Sequence, residues 1–400
     1  MLNQHVQLAD WVERVLPSPT AMLESTVAQY QREGRTVYRL GLGQPDFPTP
    51  DRAKAAAIQA IQDNFTGYTD TSGILPLREA ICRALHRDMG LSYEPGEIVV
   101  TVGGKHALFN AICTLCRPGD EVLIPVPYWV SFPEQVKFAG AKPVFVQTDA
   151  SAGYKVTPES LAPLVNESTR LLILNQPNNP SGAVYSAEEL LRLAEFCRER
   201  DLWVISDEVY SAFVFKPEGY TSIASFPGMR ERTVVINAVS KSYGMTGWRI
   251  GYSAAPAAVT GAMLRLQSHT TSNPSSIAQQ AALAAIDGPQ DDLTDIRDEY
   301  AARRDILVEG VRRIKGLECS VPDGAFYVWV DASAWRGQAL EGRTISTADD
   351  LADILLTKAG VAVMPGTGFG SPYHIRLSYA VSREEMENGI AAMESILGSK

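Results

Sequence analysis

Between about residue 51 and residue 286, short runs dense in Val, Ile and Leu alternate with longer stretches in which apolar residues recur every three or four positions. Strand, turn and covering helix in repetition have few ways to bury their apolar faces, and the commonest is a mostly parallel sheet sandwiched by helices. The pattern predicts strands over 98–101, 121–125, 143–147, 171–174, 202–206 and 233–238, and helices over 53–62, 76–88, 105–116 and 187–200. The strand runs are continuously apolar rather than alternating, as strands buried on both faces require. Beyond residue 287 the character changes to a long charged helical pattern over 291–315, a strand-like 325–330, a helix near 347–358 and short runs at 361–364 and 375–378. The expected architecture is α/β, with a large domain over 46–286 and a smaller α+β domain built from 1–45 and 287–400.

Other bulk features exclude whole classes of function. The 400 residues exceed what one core usually fills, so two domains are expected. A formal net charge of -10 argues against nucleic acid as the main partner, because phosphate binding needs a basic face. No apolar run is long enough to span a bilayer, and residues 1–15, with Asp10 and Glu13 among them, lack the pattern of a secretory signal. A cytoplasmic protein is expected. The 5 cysteines, an odd number without tight spacing, read as reduced thiols, and Cys113 and Cys116 lie in a helical stretch where packing explains them. The 5 histidines are scattered, so no metal site is expected.

In open α/β sheets ligands bind beyond the carboxyl ends of the strands. Four of the predicted strands run into polar residues there: Gly103-Gly104-Lys105 opening a helix, Asn175 to Asn179-Pro180-Ser181-Gly182, Asp207-Glu208-Val209-Tyr210, and Val239-Ser240-Lys241. Each alone has a plain structural explanation, as turn, cap or solvated lysine. Together they bring an anion-binding helix start, an acid, amide and phenol donors and a lysine to one crevice, a set with one chemical use.

With these residues in order, the sequence resembles a class I aminotransferase of fold type I, in the branch of the bacterial aspartate aminotransferases. The resemblance runs nearly end to end, through Ser18-Pro-Thr20, the segment from Leu42 to Pro50, Tyr68, the segment from Thr101 to Leu108, Pro127 to Val130, Asn179 to Gly182, Ser206-Asp207-Glu208, Ser240 to Gly251 and His374 to Ser378. It implies pyridoxal 5'-phosphate as cofactor, held by Lys241 as an imine. Lys241, freed when substrate displaces it, is then the general base. The resemblance gives Asp207 the pyridine nitrogen, Tyr210 and Asn179 the ring's phenolic oxygen, and Trp129 the ring face. It gives the phosphate to the backbone of Gly103, Gly104 and Lys105, to Ser240 and to Arg249. Tyr68 would reach the neighbouring subunit's phosphate in a homodimer. Ala238 departs from the family's usual Gly or Ser three residues before the lysine, and offers the phosphate no hydroxyl.

For substrate, the resemblance assigns the shared carboxylate to Arg376, helped by Gly43, Asn179 and Trp129, and a distal carboxylate to Lys105. Aspartate and glutamate with their 2-oxo acids are the expected substrates, in two half-reactions on one site. Other readings on the same fold are prephenate, aromatic or kynurenine-like substrates, and a lyase or synthase. A ligand-sensing regulator would need a DNA-binding module, for which the roughly 17 residues before Ser18 are expected to be too few.

Overall fold

The computed structural model describes residues 9–13 and 15–398. The start of the chain, read above for targeting signals, lies mostly outside the described residues. Seven strands form one sheet: β1 (Ile98–Val102), β2 (Glu121–Pro125), β3 (Lys142–Val146), β4 (Thr169–Asn175), β5 (Trp203–Asp207), β6 (Thr233–Ala238) and β7 (Ile250–Ala254), in the order β1-β7-β6-β5-β4-β2-β3. The neighbours from β3 through β6 pair in parallel, whereas β7 runs antiparallel to both β6 and β1. Six of these strands match the predicted ones to within two residues at each end; β7 is the addition.

Alternate residues of each strand serve opposite faces, both of them covered, which is why the runs do not alternate apolar with polar. In β4, Leu171 and Ile173 share a core with Ala107, Leu108 and Ile112 of helix Gly104–Leu115. Leu172 and Leu174, one residue out of phase, pack on the other face with Leu190 and Leu193 of helix Ala187–Glu199. That second helix starts in a capping box, in which the Ser186 side chain accepts from the Glu189 N–H and Glu189 accepts from the Ser186 N–H.

After residue 290 a second sheet of four strands, a separate strand pair and three long helices follow. β8 (Glu318–Cys319), β9 (Tyr327–Asp331), β12 (Met364–Pro365) and β13 (His374–Ser378) form an antiparallel sheet in the order β12-β13-β9-β8, and β10 (Ala339–Leu340) pairs with β11 (Arg343–Thr344). Helices Asp291–Arg313, Ala348–Ala359 and Arg383–Leu397 cover this sheet through a core containing Leu307, Val311, Leu351, Leu355, Met386 and Ile390. The N-terminal helix Pro19–Arg32 joins it: Val27 packs with Leu356 and Ala362, and Tyr38 bridges to Val361. Tyr210 and Phe213, which follow β5, pack edge-on against Phe326, so an aromatic seam ties the two sheets together beside the polar strand ends.

Candidate active site

The carboxyl ends of β4, β5 and β6 open on a cavity of about 410 Å³ that also reaches β13 and the N-terminal helix. Of the residues expected at a site, Gly43, Gly104, Lys105, Trp129, Asn179, Asp207, Tyr210, Ser240, Lys241, Arg249 and Arg376 all line it. Asp207 ends β5 in register with Asn175 at the end of β4. Asn175 locks that corner, donating to the Asp207 carbonyl at 3.1 Å while its Oδ1 accepts the Asn179 N–H at 2.8 Å.

Three of the six charged groups that line the cavity, Lys241, Asp207 and Arg376, are the most deeply buried. Lys241, in the short helix Val239–Ser242 directly after β6, points Nζ at the Gly43 carbonyl at 2.5 Å. Loss of water around it, with Arg376 and Arg249 nearby, pulls its amine down to about 8. Asp207 is buried, and among the described residues the Val209 N–H at 3.4 Å is its carboxylate's one hydrogen bond, so burial pushes it up to about 7. Arg376 is only 2% exposed. Its guanidinium donates to Asn179 Oδ1 at 2.8 Å and to the Gly41 carbonyl at 2.7 Å, lies over the Tyr327 ring at 4.2 Å, and leaves Nε buried without a partner among the described residues. None of these neighbours is an anion.

The anion cradle is equally specific. Gly103 takes φ +77° to start helix Gly104–Leu115, and a Cβ there would fall 2.2 Å from Arg249 Nη2. Gly251 in β7 faces the same loop, where a Cβ would sit 2.3 Å from the Gly104 nitrogen. Arg249 holds a left-handed backbone at φ 58° and donates to the Thr246 carbonyl at 2.9 Å. Backbone donors at a helix start beside an arginine make a site for a doubly charged oxyanion.

A model of aminotransferase class I and II matches residues 35–393. The chain belongs to that family. It is 41% identical over 396 residues to an aspartate aminotransferase of Geobacillus stearothermophilus, covering 99% of this chain and 100% of that protein. It is 43% identical over 391 residues to an aspartate/prephenate aminotransferase of Cereibacter sphaeroides, covering 97% and 98% respectively. The crystal structure of the aspartate aminotransferase from Rhizobium meliloti superposes with a TM-score of 0.93 at 40% identity, over 98% of this chain and 99% of that one. The chain is therefore an amino-group-transferring enzyme of fold type I that uses pyridoxal 5'-phosphate and acts on small amino and 2-oxo acids.

The residues present fit that cofactor. The Gly103–Arg249 cradle, which any side chain at Gly103 would fill, suits a phosphate, while a carboxyl short of hydrogen bonds and a lysine of lowered basicity flank the same cavity. Trp129 is held edge-on by Phe132, with ring centroids 5.5 Å apart, and Lys105 Nζ stands 4.9 Å from its ring. Ala238 also lines the cavity, its Cβ 3.6 Å from where a Cβ on Gly104 would lie, so the missing hydroxyl falls beside the cradle. Tyr68 is 95% exposed and lines no part of the cavity of its own chain.

Sequence reasoning missed three participants. The Tyr327 hydroxyl bonds that of Tyr210 at 2.8 Å and lies where a Cβ on Gly43 would collide, at 2.7 Å. Asn175 was placed among the polar strand endings but given no role of its own. Glu24 reaches the cavity from helix Pro19–Arg32, and nothing in its local sequence marks it.

Proposed function

We propose that the amino donor is aspartate or glutamate, that the acceptors are 2-oxoglutarate and oxaloacetate, and that Lys241, Asp207, Tyr210, Arg249 and Arg376 carry the transfer. The supporting observation is a single cavity holding an amine of lowered basicity, a buried carboxyl and a buried arginine with no anion beside it. When bound, pyridoxal phosphate supplies an electrophilic carbonyl carbon and a protonated ring that draws electrons from the amino acid's α-carbon.

Lys241 would hold that group through Nζ and, once released, take the α-proton with the same atom. An amine near 8 has an appreciable neutral fraction at physiological pH, which an ordinary lysine lacks. Asp207 would face the ring nitrogen, where a cationic partner favours its charged form. Tyr210 and the amide nitrogen of Asn179, whose oxygen is already engaged by Arg376, would donate to the ring oxygen. Trp129 would cover the ring face. Ser240, Arg249 and the Gly103, Gly104 and Lys105 backbone would bind the phosphate.

Arg376 would grip the α-carboxylate, because a buried guanidinium with only neutral partners gains most from an anion. Gly43 and Asn179 border that position, and Lys105 would meet the distal carboxylate. The printed names of the relatives support aspartate, and they disfavour a lyase or synthase. A homodimer belongs to this reading, with Tyr68 serving the neighbouring site, as do a cytoplasmic location and a cofactor-carrying domain over 46–286 beside a smaller one from 1–45 and 287–400.

Lys105→Met tests the substrate assignment. Loss of a hydrogen bond to a charged group should lower kcat/KM for aspartate roughly 10- to 100-fold, and that for alanine, which has no distal carboxylate, much less. An equal loss for both donors contradicts it.

A further inference from the structure

Among the charges lining the cavity are an acid and a base, Glu24 and Lys105. Glu24, from helix Pro19–Arg32, lines the same cavity as Lys105 and Trp129. Its carboxylate is felt by both Lys105 and Lys241, supporting their protonated forms. Yet Glu24 and Lys105 are not joined as an ion pair among the described residues, and the Lys105 ammonium rests over the Trp129 ring instead. An acid and a base that line one cavity without pairing can each meet a ligand group bound there.

The chemistry of that group follows from the pair. A distal carboxylate satisfies Lys105 and is repelled by Glu24; a distal ammonium does the reverse. A carboxamide satisfies both, its NH₂ donating to Glu24 and its C=O accepting from Lys105. We propose that Glu24 is a specificity-determining residue which, together with Lys105, makes this part of the cavity a two-charge subsite that accepts amino donors with a side-chain carboxamide, of the asparagine type, alongside dicarboxylates. This rests on the reading of Lys105 as the distal contact. The transfer balances as for any donor: the α C–N bond is exchanged for C=O, a 2-oxo acid makes the reverse exchange, and the side-chain amide stays intact.

The test uses holoenzyme with 2-oxoglutarate as acceptor and measures kcat/KM for asparagine, aspartate and alanine in wild type, Glu24→Gln and Lys105→Met. Glu24 is exposed, so its substitution leaves the core untouched. The wild type is expected to use asparagine better than alanine, and Glu24→Gln to lower the asparagine-to-aspartate ratio about tenfold, the effect of removing one nearby charge of roughly 1.4 kcal/mol. An unchanged ratio in Glu24→Gln, with aspartate selectively lost in Lys105→Met, overturns the role of Glu24 and leaves that of Lys105 standing. Equal losses for all three donors in Lys105→Met overturn the Lys105 reading and the two-charge subsite with it.

Discussion

Lys241 and Asp207 stand in surroundings that oppose their charged forms, and this makes stability depend on pH in a defined sense. Asp207 and its neighbour Glu208, which accepts from Ser206 and Ser222, are each pushed up to about 7 by burial, from 3.8 and 4.5. Between those values the folded chain keeps protons that the unfolded chain has released, so cofactor-free protein should lose stability as pH rises from about 4 to 7. Lys241 has the opposite sense. Lowered from 10.5 to about 8, it costs stability fully below 8, and the cost fades as pH climbs through 10.5. Lys241→Met should therefore abolish transfer yet stabilise cofactor-free protein at neutral pH by up to about 3 kcal/mol, which a raised melting temperature reports. Melting scans at neutral pH and near pH 10 check this; a variant no more stable than wild type at neutral pH contradicts the strained-amine account.

The elements that matter most are the helix start at Gly103 and strand β7 beside it. A methyl at Gly251 would meet the Gly104 backbone at 2.3 Å, and backbone cannot turn aside as a side chain can. Gly251→Ala should weaken pyridoxal phosphate binding tenfold or more, the effect of about 1.4 kcal/mol, in a titration run alongside circular dichroism to verify the fold. Unaltered affinity would show that the cradle does not depend on this close approach. Most of this element layout was legible in the sequence, because doubly buried strands leave uninterrupted apolar runs and their polar endings stand out. Among the strands of the large sheet the exception, β7, reads Ile-Gly-Tyr-Ser-Ala, too short in apolar residues to signal a strand; its pairing with β1 and β6 on both sides makes it one. Lys241 and Asp207 were legible for the same reason as their strands. Tyr327 and Glu24 were not, because each reaches the cavity from a distant segment that only tertiary packing brings in.

At the scale of the molecule, the exposed face near Tyr68 is the feature a lone chain leaves unexplained. Ile58, Ile61, Phe65 and Leu75 are exposed around it in sequence, an apolar surface that pairing with a second copy would cover. Sedimentation of the holoenzyme should give the mass of two chains, and Tyr68→Phe should weaken cofactor binding although Tyr68 lies outside its own chain's cavity. A monomer of full activity contradicts the shared site. The central claim, that Lys241 holds a cofactor through which aspartate gives up its amino group, is tested most directly by the absorbance spectrum of the purified holoenzyme before and after L-aspartate is added without any 2-oxo acid. The account predicts that the visible band of the lysine-bound cofactor gives way to a shorter-wavelength band as an equivalent of oxaloacetate appears, and that Lys241→Met shows no lysine-bound band. A wild-type spectrum that aspartate leaves unchanged, with no oxaloacetate formed, would contradict it.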